Sequence, residues 1–263
     1  MRRNKLKQLI QEQSPIINGW LAIPSSYSAE IVGHQGYDAV TVDLQHGMID
    51  FASALTMLQA LSATPAVPLV RVQHNDPAQI MRMLDAGAYG IICPMISTAE
   101  QAARFVAACR YPPFGVRSFG PARGLLYGGA DYPQHACQEI LTLAMIETRE
   151  GLANLDAILA TDGLDGVFIG PNDLSLTLTG SASAESQHPE MLAAVERVVS
   201  RCRQQQKLAG IFCTSGDAAR LRIDQGFQFV TPANDVMQLG RAAREAIALA
   251  RGASAPTTGA SGY

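Results

Sequence analysis

Paired thiols are missing from this chain. Its five cysteines, Cys93, Cys109, Cys137, Cys202 and Cys213, are odd in number, and no two are spaced as CxxC. That argues against a disulfide framework and a thiolate zinc site, and makes a reducing, cytoplasmic compartment the expectation. Glycine-rich phosphate loops are missing too. Neither GxGxxG nor GxxxxGK followed by Ser or Thr occurs, so dinucleotide and P-loop readings lack their main support. No apolar run approaches the ~18 residues of a membrane helix. The basic start, MRRNKLKQLIQEQ, has no apolar segment behind it and does not read as a secretory signal. Lysine is scarce: Lys5, Lys7 and Lys207 are the only ones. Charged residues make up 16% of the chain, the formal net charge is −3, and Lys and Arg form no long cluster. Neither a nucleic-acid nor a membrane partner is expected.

What is present is apolar. Hydrophobic residues are 48% of 263, which excludes intrinsic disorder and suffices for a core without staples. Short apolar runs alternate with helical patterns: Ile17–Ile23, Ala39–Leu44, Pro68–Val72, Gly90–Cys93, Leu141–Ile146, Gly166–Ile169, Leu208–Phe212 and Phe227–Val230. Each precedes a helical stretch: 28–34, 51–61, 77–86, 98–109, 151–160, 189–207, 216–225 and 235–251. The sixth run reaches its helix only after a turn. Runs apolar on both faces suit parallel strands buried on both sides. Eight β/α units in about 250 residues predict a single (β/α)8 TIM barrel over residues 1–251. A doubly wound sheet is the alternative, usually with fewer strands and a glycine-rich first turn. No internal repeat or linker divides the barrel. The last twelve residues, GASAPTTGASGY (252–263), read as a flexible tail.

In such a barrel the chemistry sits where strands end. The second run leads into Asp43-Leu44-Gln45-His46 and the third ends near Arg71. The fifth ends at Glu147-Thr148-Arg149, and the sixth runs into Gly170-Pro171-Asn172-Asp173. Glu147 and Asp173, on neighbouring strands, suit a divalent cation such as Mg²⁺ or Mn²⁺ with open positions for substrate. Both also suit helix capping. His46 is the only histidine at a strand end, and that residue type suits acid–base work; it equally suits a hydrogen-bonded loop. Arg71 ends an apolar strand, where a cation needs an anionic partner. A substrate carboxylate, a developing oxyanion, Asp43 or Glu147 would each serve. Thr214-Ser215-Gly216 is open to two readings, a phosphate site and a plain helix cap. The Gly-, Pro- and aromatic-rich segment Tyr111–Tyr132, with Arg117 and Arg123, reads as a lid, a subunit contact or a packed loop. Its arginines would suit an acidic aldehyde or another subunit.

Taken together, VDLQH (42–46), LDAGAYGIICP (84–94), GVRSFG (115–120), IETR (146–149) and DGVFIGPNDLS (165–175) make the chain resemble the metal-dependent (class II) 2-oxo-acid aldolases. That group contains 4-hydroxy-2-oxoheptanedioate aldolase and 2-dehydro-3-deoxyglucarate aldolase. The match runs from about Asn18 to Arg251, and IETR followed by GPNDLS is its most specific part. The resemblance implies a barrel assembled as a homohexamer, a trimer of dimers with helices exchanged between subunits. It implies Glu147 and Asp173 as ligands of Mg²⁺, Mn²⁺ or Co²⁺, His46 as the acid–base residue and Arg71 as the enolate-stabilising residue. Asp85 matches the acid that partners the histidine, delivered from a neighbouring subunit; Asp43 is a rival partner on local grounds. The amides of Asn172 and Asp173 match those holding the substrate carboxylate. Met145 stands where the group often has a Gln that touches the oxo acid.

The implied chemistry is reversible cleavage of 4-hydroxy-2-oxo acids to pyruvate and an aldehyde, with small molecules as partners. The three lysines all precede strands, which argues against a Schiff base. Two rival functions remain at this point: an acyl-CoA lyase of the malyl or citryl type, for which no basic cluster is evident, and a non-catalytic carboxylate-binding barrel.

Overall fold

The computed structural model describes residues 1–252. Eight parallel strands close into a barrel in chain order: β1 (Ile16–Leu21), β2 (Ala39–Asp43), β3 (Val67–Arg71), β4 (Gly90–Cys93), β5 (Leu141–Ile146), β6 (Gly166–Ile169), β7 (Leu208–Cys213) and β8 (Phe229–Pro232). This is the expected (β/α)8 barrel. The first helix, α1 (Lys5–Gln11), precedes β1; α2 (Ser26–Gly33), α3 (Phe51–Leu61), α4 (Pro77–Asp85) and α5 (Ala99–Cys109) follow the first four strands. Between α5 and β5 lie α6 (Ala122–Gly128) and α7 (Tyr132–Glu139). After β5 come α8 (Arg149–Ala153) and α9 (Leu155–Leu159), after β6 α10 (Pro171–Thr179) and α11 (Pro189–Gln204). The chain then continues through α12 (Gly216–Asp224) after β7 and α13 (Asp235–Ala250) after β8. No helix among the described residues is long and apolar enough to cross a membrane. The tail predicted from 252 onward lies almost wholly outside the described residues.

Helix starts follow side-chain caps. Asp50 accepts from the Ser53 amide at 2.8 Å, Asp76 from Ala78 at 3.0 Å and Thr98 from Gln101 at 3.3 Å. Strand register fixes which residues face inward. Met145 pairs with Phe168, which pairs with Gly210, itself paired with Phe229, so these four share the inner face. By the same two-residue alternation Asp43 lies above Thr41, Arg71 above Leu69, and Glu147 above Met145. The inward set therefore changes from apolar to charged as the strands reach their C-terminal ends.

Four elements differ from the sequence reading. Residues 171–179 form α10 rather than a turn, and 149–159 split at Asn154 into two short helices. The basic N-terminus forms α1, with Asn4 as its cap. Segment 111–132 is an α-to-β connection at the N-terminal end of the barrel, so it is no lid over its own strand ends. Of its arginines, Arg117 is buried against Asp85 (2.7 Å) and the Tyr132 hydroxyl (2.8 Å), and Arg123 is half-buried.

Candidate active site

At the C-terminal ends of β2 and β3 the backbone register places Asp43 beside Arg71. Arg71 Nε donates to Asp43 Oδ1 at 2.8 Å and Nη2 to Oδ2 at 2.5 Å. Trp20 Nε1 donates to the same Oδ2 at 3.1 Å, and the Arg71 guanidinium lies 4.9 Å from the centre of the indole. Burial alone would raise the Asp43 carboxyl. The guanidinium, with Trp20 and the His46 amide, outweighs it and holds Asp43 below the ordinary value of 3.8. Asp43 Oδ1 also accepts from the Gln45 and His46 amides at 3.0 and 3.3 Å, which fixes the turn that carries His46. Arg71 Nη1 makes no hydrogen bond among the described residues.

Glu147 follows β5 and is 2% exposed. It does not cap a helix: Thr148 does that for α8, accepting from Gly151 at 2.9 Å. Its Oε1 accepts from the Met95 amide at 2.7 Å, and Met95 adopts a left-handed φ of 57° to aim that amide. Such a conformation costs a non-glycine residue about 1 kcal/mol. Oε2 lies against Gly170, where an added Cβ would sit 2.3 Å away. Burial pushes the Glu147 carboxyl up to about 7; the Met95 amide and Arg71 oppose this, and the negative charge of Asp173 adds to it. Asp173 is not a cap either. It occupies the first turn of α10, whose N-cap Gly170 supplies no side-chain bond, so the amides of Asn172 and Asp173 are left open.

Arg71 and Asp173 line one cavity of about 440 Å³, with Asp43 and Glu147 behind its lining. His46, Arg71, Asn172, Asp173 and Asn234 supply its polar lining; Trp20, Met48, Met145, Phe168 and Phe212 supply much of the rest. Among the described residues no group of three or more His, Cys, Asp or Glu gathers around one point. Two carboxylates and a glycine-sized space beside Oε2 nevertheless fit a hard divalent cation, which takes its remaining ligands from water and substrate. A cation there would offset both the burial of Glu147 and its repulsion by Asp173.

The chain matches the HpcH/HpaI aldolase/citrate lyase description over residues 17–242. It belongs to that family. A relative named hydroxypyruvate/pyruvate aldolase, from Rhizorhabdus wittichii, is 46% identical over 94% of this chain and 99% of its own length. One named 4-hydroxy-2-oxo-heptane-1,7-dioate aldolase, from Salmonella dublin, is 39% identical over 99% of both chains. The solved HpcH/HpaI aldolase/citrate lyase family protein from Burkholderia cenocepacia J2315 superposes with a TM-score of 0.89 at 33% identity, over 94% of this chain and 99% of that one.

For this HpcH/HpaI family member the site residues inferred from sequence divide in two. His46, Arg71, Asn172, Asp173 and Met145 line one cavity, with Asp43 and Glu147 directly behind it. Asp85 lies at the C-terminal end of α4, hence at the opposite end of its own barrel, and is bound to Arg117. Thr214 holds no phosphate: its amide and hydroxyl are taken by the Glu185 carboxylate at 3.2 and 3.0 Å, while Ser215 caps α12. The three lysines lie away from the cavity. Lys7 pairs with Asp165, and Lys207 donates to the Leu164 carbonyl at 2.6 Å. Sequence reasoning missed Trp20, Met48, Phe212 and Gly170. Inward alternation would have found Trp20 and Phe212; nothing in the sequence marks Met48.

Proposed function

We propose that the protein is a metal-dependent aldolase that reversibly cleaves 4-hydroxy-2-oxo acids to pyruvate and an aldehyde. One observation carries this reading: a single cavity is lined by the Asp173 carboxylate, an imidazole, a guanidinium clamped by a carboxylate and an uncapped helix start, with the Glu147 carboxylate just behind Gly170. Glu147 and Asp173 would hold Mg²⁺, Mn²⁺ or Co²⁺, which when bound polarises the 2-oxo group as a Lewis acid. The open amides at the start of α10 bind the substrate carboxylate, aided by the helix dipole. Arg71 presents its free Nη1 to the negative charge gathering on the C2 oxygen as the C3–C4 bond breaks; one such donor is worth about 3–4 kcal/mol. Asp43 and the indole of Trp20 keep that guanidinium in place. His46 takes the proton from the C4 hydroxyl in cleavage and returns it in addition.

Assembly as a homohexamer completes the reading. Asp85 can meet an imidazole only in another copy of the chain. Helix α13 touches the barrel mainly at β1, leaving Leu239, Ile247 and Leu249 exposed, as suits a helix exchanged with a neighbour. Near the opposite end Phe114, Phe119 and Leu126 are exposed as well.

The test measures pyruvate release from a panel of 4-hydroxy-2-oxo acids. Chelation is expected to abolish it, and each metal in turn to restore it. Borohydride with pyruvate should leave the protein mass unchanged. Activity that survives thorough chelation, or a reduced pyruvate adduct, would overturn the assignment. Cleavage of CoA thioesters alone would assign an acyl-CoA lyase instead.

A further inference from the structure

Glu147 is gripped from behind by the loop between β4 and α5. That loop, residues 94–98, presents the Met95 amide to Glu147 Oε1 at 2.7 Å, with Met95 at a φ of 57°. A non-glycine residue keeps such a conformation only where its surroundings over-determine it. Ser97 supplies the restraint. Its amide donates to Gln101 Oε1 on α5 at 2.7 Å, and its carbonyl accepts from Asn154 Nδ2, between α8 and α9, at 2.8 Å. Its hydroxyl lies 2.7 Å from the hydroxyl of Thr148, the residue after Glu147. Thr148 is fixed in turn, because its Oγ1 accepts from the Gly151 amide at 2.9 Å. Each polar group of Ser97 is thus bound to a side chain from a different position. Ser97 is 7% exposed and is not among the residues lining the cavity.

We propose that Ser97 is a positioning residue for the cation site. Its hydroxyl couples the loop that carries the Met95 amide to the strand end that carries Glu147. With Oε1 taken by that amide, Oε2 is the oxygen left facing the space beside Gly170. This inference rests on the metal-dependent reading. A carboxylate anchored through one oxygen has already given up the freedom that a loose one loses when the ion binds. Ser97 therefore acts on affinity for the ion through Glu147, without touching ion or substrate.

The test measures Mn²⁺ binding, read from the paramagnetic resonance signal of the free ion, with Tm taken in the presence of chelator. Ser97→Ala is expected to weaken Mn²⁺ binding by ~10-fold or more, and a loss of less than ~3-fold overturns the inference whatever happens to Tm. A role confined to holding the fold would lower Tm and leave the affinity of the folded protein unchanged, which is that overturning result. Should Ser97→Ala not fold, Asn154→Ala, which frees the Ser97 carbonyl, takes its place with the same expectations. A parent protein that binds no Mn²⁺ and releases pyruvate undiminished under chelation would instead sink the metal-dependent reading, and the inference with it.

Discussion

At the N-terminal end of the barrel the buried Glu139 and the half-buried Asp85 and Asp165 are all matched. Asp85 has Arg117, Glu139 takes Arg3 at 2.8 Å and the Asn4 amide at 2.6 Å, and Asp165 takes Lys7 and the Thr142 amide. At the C-terminal end Asp43 has Arg71 and Asp235 the Ala22 and Ile23 amides, but buried Glu147 takes one amide and exposed Asp173 makes no hydrogen bond among the described residues. Acids close the structure at one end, while at the other two of them, Glu147 and Asp173, are left largely open. Buried charge with partners holds a fold together; buried charge without them costs stability and is kept where chemistry needs it.

Removing the open acids should break this contrast most sharply. If Glu147 holds the proposed cation, Glu147→Gln is expected to lower kcat/KM by ~10³-fold through loss of several kcal/mol of charge stabilisation. With chelator present, it should melt no lower than the parent. A large fall in Tm would mean that Glu147 is structural. Arg71→Lys comes next. It keeps the charge but loses the fork on Asp43, and about 10²-fold in kcat is expected to go with it. Steady-state kinetics alongside circular dichroism would check this.

At the closed end the balance reverses. Asp85→Asn leaves Arg117 buried without its anion and should cost about 3 kcal/mol in urea unfolding. If the proposed assembly brings Asp85 to another copy's imidazole, kcat/KM should also fall, by no more than ~10–100-fold. An unchanged urea midpoint would contradict the assigned ion pair. The smallest effect concerns pH. Asp43 titrates below 3.8, so its stabilising contribution is present above that value and is lost as pH falls through the lower native one. The stability gap between the parent and Asp43→Asn should therefore hold from neutrality to near pH 3.8 and narrow below it. A gap that narrows near neutral pH would contradict the direction of the shift.

The barrel itself was readable because alternation of apolar runs and helical patterns is a local signal; β4, β5 and β6 begin and end where the sequence placed them. Helix α10 was not, because Gly170-Pro171-Asn172-Asp173 has turn chemistry and Leu-Ser-Leu-Thr-Leu-Thr alternates like a strand. The charged half of the site was readable from the strand ends. The apolar half was not: Trp20 and Phe212 look like any core residue until register turns them inward. The Asp85–Arg117 pair spans 32 positions, and only the tertiary fold joins it.

Gly170 carries a consequence for how this protein tolerates change. With backbone φ −88°, it has no conformational need to be glycine, and a local reading would pass alanine there. Yet one methyl group would sit 2.3 Å from Oε2 of the Glu147 carboxylate, a steric overlap. In a saturation library, Gly170 should therefore be a position where even the mildest replacement silences the enzyme.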